Sequence, residues 1–244
     1  MSESESPFLD FLVREGVELR RRLMWCVGSF MLISGLMLGA PSWEHSYAIQ
    51  LFDHLQSALL PLGTKLVFLD PLEPMVVVFK LSMMASLVLT APILIWHVFA
   101  FTAPALAPGM RSFYGRFVVL AILLFALGLW LTYRFMLPLT LHMLMAYGAA
   151  AGGSPMITFE RFYSFSLLVL LAFALPFETP LLMGFLHRFN IVDVETMRRW
   201  RLKFYGVFIL VAQFVTPDPI VTPLMFIGMM IVLFESGLLL AKRL

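Results

Sequence analysis

One carboxylate lies where a carboxylate is hardest to keep. Glu178 falls inside LLAFALPFETPLLMGFL, residues 170–186, an otherwise apolar run, and is flanked by Pro176 and Pro180. The run is long enough to cross a bilayer, and the acid sits about eight residues from its basic end, hence about 12 Å deep at 1.5 Å per residue. An ionised carboxylate at that depth costs at least about 2.5 kcal/mol, so the group must be protonated, paired or turned towards a polar cavity. The two prolines each remove an amide donor, which frees the carbonyls of Ala172 and Pro176 and makes a polar notch in a kinked helix. Two readings follow: a site that docks a partner or carries a proton, or a neutral acid bonded to a freed carbonyl.

Three further polar residues stand in apolar runs. Glu235 is either a second partner site or an acid snorkelling to the nearby interface. Gln213 fits a docking contact or one interhelical hydrogen bond, the commoner use of a lone glutamine. Lys80 is placed to snorkel outward or to pair with Glu73. The five histidines, His45, His54, His97, His142 and His187, show no metal-ligand spacing. No H-E-x-x-H, G-x-S-x-G or phosphate-binding glycine loop occurs either, so neither an enzyme nor a metal or other cofactor is expected. The single Cys26, inside an apolar run, reads as a small hydrophobe.

The elements that carry these residues are membrane helices. Hydrophobic residues make up 61% of the 244 positions and charged residues 13%, against roughly 25% charged in a soluble domain, and mean hydropathy is +0.91. The apolar blocks are too long and too unalternating for barrel strands. The class is therefore an all-α integral membrane protein, and no polar, basic domain is present to bind nucleic acid. Six transmembrane helices are predicted over about 23–40, 75–101, 113–137, 162–186, 204–215 and 223–240, in one membrane domain spanning 1–244. An amphipathic stretch, 8–22, precedes the first helix, a long loop covers 41–74, and Pro138 follows the third helix. Helices 5 and 6 form a short hairpin about the turn Thr216-Pro217-Asp218-Pro219.

The polar, acidic start MSESESPFLD is not the form of a cleavable signal. Six spans put both termini on one side. Of the 17 lysines and arginines only Lys65, Lys80, Arg134 and Arg161 fall on the other side, so both termini are expected in the cytoplasm.

Several motifs run in a fixed order: Glu18-Leu19-Arg20-Arg21-Arg22-Leu23, Pro71-Leu72-Glu73-Pro74, Ala91-Pro92, Phe101-Thr102-Ala103-Pro104, Leu137-Pro138-Leu139, Phe177-Glu178-Thr179-Pro180, Thr216-Pro217-Asp218-Pro219 and Leu233-Phe234-Glu235. With them the chain resembles the TatC family, the multispanning receptor subunits of twin-arginine protein translocases. The resemblance implies a glove-shaped bundle in the bacterial inner membrane. Its cytoplasmic face would read the paired arginines of export signals, with Glu18, Arg20 and Phe101 in the signal-binding surface. Glu15 would add charge there, since Met110 stands where the family usually carries a loop glutamate.

The resemblance further implies that Glu178 meets a polar residue of a TatA-like or TatB-like single-span partner. Gln213 and Glu235 are further docking candidates, and Pro217 and Asp218 form a structural or functional turn. Other copies of the chain would join the complex, and folded cargo would cross on the proton motive force. The alternatives are a small proton-coupled secondary transporter using Glu178 as its ion site, a diverged relative reading another signal, and a structural assembly factor.

Overall fold

The structure, a computed structural model, describes residues 6–60, 64–102, 111–150, 152, 156–188, 191–216 and 220–243. Ten α-helices and two short strands occur among them: α1 Ser6–Gly39, α2 Tyr47–Leu59, β1 Lys65–Val67, α3 Glu73–Thr102, α4 Arg111–Leu131, α5 Leu137–Ala150, β2 Met156–Thr158, α6 Phe159–Ala174, α7 Thr179–Arg188, α8 Val194–Arg199, α9 Arg201–Val215 and α10 Val221–Arg243. Five segments are long and apolar enough to cross a membrane: Gly16–Gly39, Glu73–Val98, Gly115–Ala150, Phe159–Arg188 and Val221–Lys242. The sixth span is α9. Its 15 residues reach about 22 Å, less than the roughly 30 Å of hydrocarbon, which is the short member the sequence predicts.

Several boundaries differ from those read in the sequence, each for a local reason. The amphipathic stretch 8–22 and the first span are one continuous helix, α1, with Pro7 in its first turn, where a missing amide loses no bond. Pro138 does not end the third span. Residues Thr132–Met136 form a π turn, which takes up the register that the ring would otherwise break, and α5 carries the helix on to Ala150. Within the expected loop 41–74, Tyr47–Leu59 is helical, and β1 pairs in parallel with β2, Lys65 opposite Met156. Lys80 does not pair with Glu73. It binds Glu160 at 2.5 Å, because the Glu73 carboxylate accepts the backbone amides of Leu69 at 3.0 Å and Glu160 at 2.7 Å.

The chain divides into two compact units, one of Met1–Gln50 with Ser82–Ile122, the other of Leu51–Leu81 with Leu123–Leu244. In the first, α1 and α3 meet through buried hydroxyls. Ser82 donates to the Ser34 carbonyl at 3.0 Å, and Ser86 and Thr90 each donate to the carbonyl four residues back. The small side chains let the helix backbones approach closely, the usual basis of helix association in lipid.

The second unit has an aromatic core in which Phe162, Tyr163, Phe173, Phe226 and Phe234 are almost fully buried. Phe173 and Phe226 meet edge to face with centroids 4.7 Å apart, the arrangement that ring quadrupoles favour. Outward residues are apolar too. Phe214 and Leu202 are more than four-fifths exposed, as lipid-facing or partner-facing positions are.

Candidate functional site

The notch read around Glu178 is a break between two helices. α6 stops at Ala174, Leu175–Glu178 form one turn of 3-10 helix, and α7 resumes at Thr179. Proline chemistry dictates the place, since neither Pro176 nor Pro180 can donate to an α ladder. The freed carbonyl of Pro176 is not left open: it accepts the Thr179 amide in the tighter turn.

Two glycines on neighbouring helices hold the break. A Cβ on Gly128 of α4 would lie 2.7 Å from the Phe177 ring and 2.9 Å from the Ala174 carbonyl oxygen, so only glycine lets α4 press on the turn. Across the break, a Cβ on Gly237 of α10 would lie 2.7 Å from Met183 Sδ and 3.0 Å from Pro180 Cα. Two helix backbones thus pack close to Phe177 and Pro180, on either side of Glu178 in the sequence.

One oxygen of the Glu178 carboxyl is unsatisfied. Oε1 of Glu178 is buried and has no hydrogen-bond partner among the described residues. The reading of a neutral acid bonded to a freed carbonyl is therefore not what the structure shows. A buried polar atom without a partner costs about 1–3 kcal/mol, and such atoms are uncommon enough to require a reason.

The other intramembrane polar residues divide. Gln213 lies on the exposed side of α9 and, among the described residues, makes no side-chain hydrogen bond, so the single interhelical bond expected of it within the chain is not formed. Glu235 neither snorkels free nor stands open. Its Oε2 accepts from Arg201 Nη2 at 2.7 Å and its Oε1 from the Tyr205 hydroxyl at 2.5 Å, which ties α10 to the start of α9. Beside this clasp Met183, Met197, Phe208, Phe234 and Leu238 pack together, so α7, α8, α9 and α10 share one core.

At the N-terminal helix, Glu18 is half-buried and ion-paired with Arg22 one turn on, while Arg20 is exposed. The pair leaves Arg20 outside it but puts carboxylate and guanidiniums on one short stretch of α1. Phe101 closes the last turn of α3. Its side chain and that of Glu15 lie outside the described residues, as do Pro217 and Asp218. No hydrogen bond among the described residues joins Glu178, Gln213 and Glu235 to one another; they are three separate positions.

Sequence reasoning missed Gly128 and Gly237. Their signal is a glycine in an apolar helix at a place where nothing local asks for one, which becomes legible only when the opposing backbone is known.

Comparison with known proteins places this geometry in a family. The family described as Sec-independent protein translocase protein (TatC) matches residues 17–234. The chain is 28% identical to the Sec-independent protein translocase protein TatC of Carboxydothermus hydrogenoformans, over 81% of this chain and 82% of that one. It is 31% identical to TatC of Koribacter versatilis, over 82% of this chain and 73% of the other. Its fold is similar to a crystal structure of the twin-arginine translocase receptor TatC, with a TM-score of 0.82 and 25% identity over 93% of this chain and 99% of that one.

Proposed function

The chain belongs to the TatC family, a non-enzymatic multi-pass component of the Sec-independent translocase, and on that premise we propose how its residues divide the work. Glu178 docks the transmembrane helix of a TatA-like or TatB-like single-span subunit. The α1 surface around Glu18 and Arg20, with Glu15 and Phe101, receives the twin-arginine signal of a folded cargo protein. Both termini lie in the cytoplasm, the membrane is the bacterial inner membrane, and export draws on the proton motive force.

The observation that carries the reading is the unpartnered buried Oε1 of Glu178. A neutral acid accepts one hydrogen bond and offers another. Oε1 is turned into the chain, but the residue as a whole is half-buried, so rotation of the carboxyl about its broad terminal torsion would present it to a partner helix bearing one polar side chain; such interhelical bonds are worth about 0.6–2 kcal/mol in lipid. Gln213, exposed on α9, offers a second polar contact to a helix lying against the lipid-facing surface. Glu235 is already engaged within the chain; docking there requires the clasp to open, so its part in the site is to hold α9 in place.

At the other site, two guanidiniums of a signal peptide seek carboxylates in fork geometry. Glu18 is already ion-paired with Arg22, whose Nε and Nη2 both donate to Oε1, so an incoming arginine competes with Arg22 rather than meeting a bare carboxylate. The test is photo-crosslinking of the membrane-embedded chain to a signal peptide carrying Arg-Arg, against the same peptide carrying Lys-Lys. The proposal requires crosslinking to Arg-Arg alone and its loss in Glu18→Ala. Equal crosslinking of the two peptides would remove twin-arginine recognition, and equal binding by Glu18→Ala would remove that residue.

A further inference from the structure

At the end of the second unit remote from Glu178, a cavity of about 900 Å³ opens between α5, β2 and the start of α6. That volume lies at the upper end of the roughly 300–1,000 Å³ of small-molecule sites. Its walls are apolar, formed by Leu141, Leu144, Phe165 and Leu168 among others, apart from Arg161, Thr158 and Ser164.

Polar and apolar parts are sorted by depth. From Thr158 to Leu168 the wall runs ten residues along α6, about 15 Å. The ammonium of Lys80 marks the water boundary on this wall. It lies 2.5 Å from Glu160 and 3.3 Å from Ser164 Oγ, and an intramembrane lysine keeps its head at the interface. Thr158, Arg161 and Ser164 therefore stand at headgroup level or beside it, while Phe165, Leu168 and Leu141 lie on the hydrocarbon side.

Charge at this level is unevenly spent. Lys80 is paired with Glu160, and Glu73 is taken by backbone amides. The exposed Arg161 has no side-chain hydrogen bond or ion pair among the described residues; only its backbone amide is engaged, with Thr158 Oγ1. The cavity thus presents one uncommitted guanidinium above an apolar slot.

We propose that this cavity binds one phospholipid of the adjoining leaflet, with its phosphate on the Arg161 guanidinium and an acyl chain laid between α5 and α6. A guanidinium grips phosphate oxygens through two parallel bonds, and basic pockets between membrane helices hold lipid headgroups in this way. The bound lipid fills a slot that the chain's own side chains leave open, and so fixes α5 against α6.

The experiment uses the full chain in phosphatidylcholine vesicles containing a trace of phosphatidylglycerol with a photoactivatable acyl chain, with labelled peptides mapped by mass spectrometry. Labelling is expected within 141–149 and 161–168. Arg161→Gln is expected to lower it about tenfold, equivalent to 1.4 kcal/mol. Gly148→Leu is expected to do the same by occupation. Gly148 lines the cavity, and a Cβ there meets nothing within 4 Å, so the backbone does not oppose a side chain at this position, and this variant, with insertion confirmed, decides the matter if Arg161→Gln fails to insert.

Labelling of the lipid-facing stretch around Val232, 67% exposed, should stay constant. The proposal is overturned if slot labelling merely equals that at Val232, or if either inserted variant labels like the parent. Displacement of the lipid by inorganic phosphate would also overturn it, since the ligand would then be the free anion.

Discussion

One substitution, glycine to alanine, should have opposite signs at two places on one helix. α4 carries both Gly115 and Gly128. A Cβ at Gly115 meets nothing within 4 Å, whereas a Cβ at Gly128 falls 2.7 Å from Phe177 Cδ2 and 2.9 Å from the Ala174 carbonyl oxygen. Neither neighbour can give way easily, since the Phe177 ring is 7% exposed and the carbonyl belongs to the backbone. Gly115→Ala should therefore gain up to about 1 kcal/mol of helix propensity, while Gly128→Ala should lose about 1–3 kcal/mol by overpacking. The assay is thermal unfolding of the purified full chain in mild detergent, followed by tryptophan fluorescence. The midpoints should fall in the order Gly115→Ala, parent, Gly128→Ala, and α10 should repeat the order with Gly228→Ala and Gly237→Ala, because Gly228 has open space and Gly237 does not. A midpoint for Gly128→Ala at or above the parent would refute the idea that α4 presses on the break beside Glu178.

Three other outcomes follow. In a double-mutant cycle of Arg201→Ala and Glu235→Gln the coupling should be about 1.5–3 kcal/mol, that of a hydrogen bond to a charged group, because Glu235 lies within the span Val221–Lys242; a coupling under about 0.5 kcal/mol, the range of surface pairs, would mean that water reaches the pair. Glu73→Gln should lower the unfolding midpoint more than Glu160→Gln does, since Glu73 holds two backbone amides from separate segments while Glu160 contributes a half-exposed ion pair; the reverse order would show that the ion pair is the stronger tie. A C-terminal alkaline phosphatase fusion should be inactive, and periplasmic activity would overturn the cytoplasmic placement of the termini.

The spans and the break were legible in the sequence because each has a local cause. Apolar blocks of membrane length declare themselves, and two prolines around Glu178 cannot sit in an unbroken α ladder. What was not legible depends on an irregular helical register or on distant partners. Pro138 reads as a terminator until the π turn at Thr132–Met136 is seen to absorb it. The pairing of Lys65 with Met156 joins residues far apart in the chain through strands of three residues each, too short to leave a periodic signal.

Glu235 illustrates the same limit at the site. Its apolar surroundings fit snorkelling or docking equally, and the choice is made by Arg201 and Tyr205, which arrive from another helix. Glu178 could be identified as costly from its depth alone. That no group of the described chain satisfies its Oε1 is a fact of packing, and it turns a candidate acid into a docking proposal.

If Glu178 is satisfied by a helix from outside the chain, the partner's recovery on co-purification depends on that side chain. The full chain would be co-expressed with TatA-like and TatB-like single-span subunits and isolated as parent, Glu178→Gln and Glu178→Ala, with membrane insertion confirmed for each. Glu178→Ala is expected to lose the single-span partner, while Glu178→Gln, which keeps a donor and an acceptor in place, is expected to retain most of it. Equal recovery of the partner by inserted Glu178→Ala and by the parent would contradict that dependence.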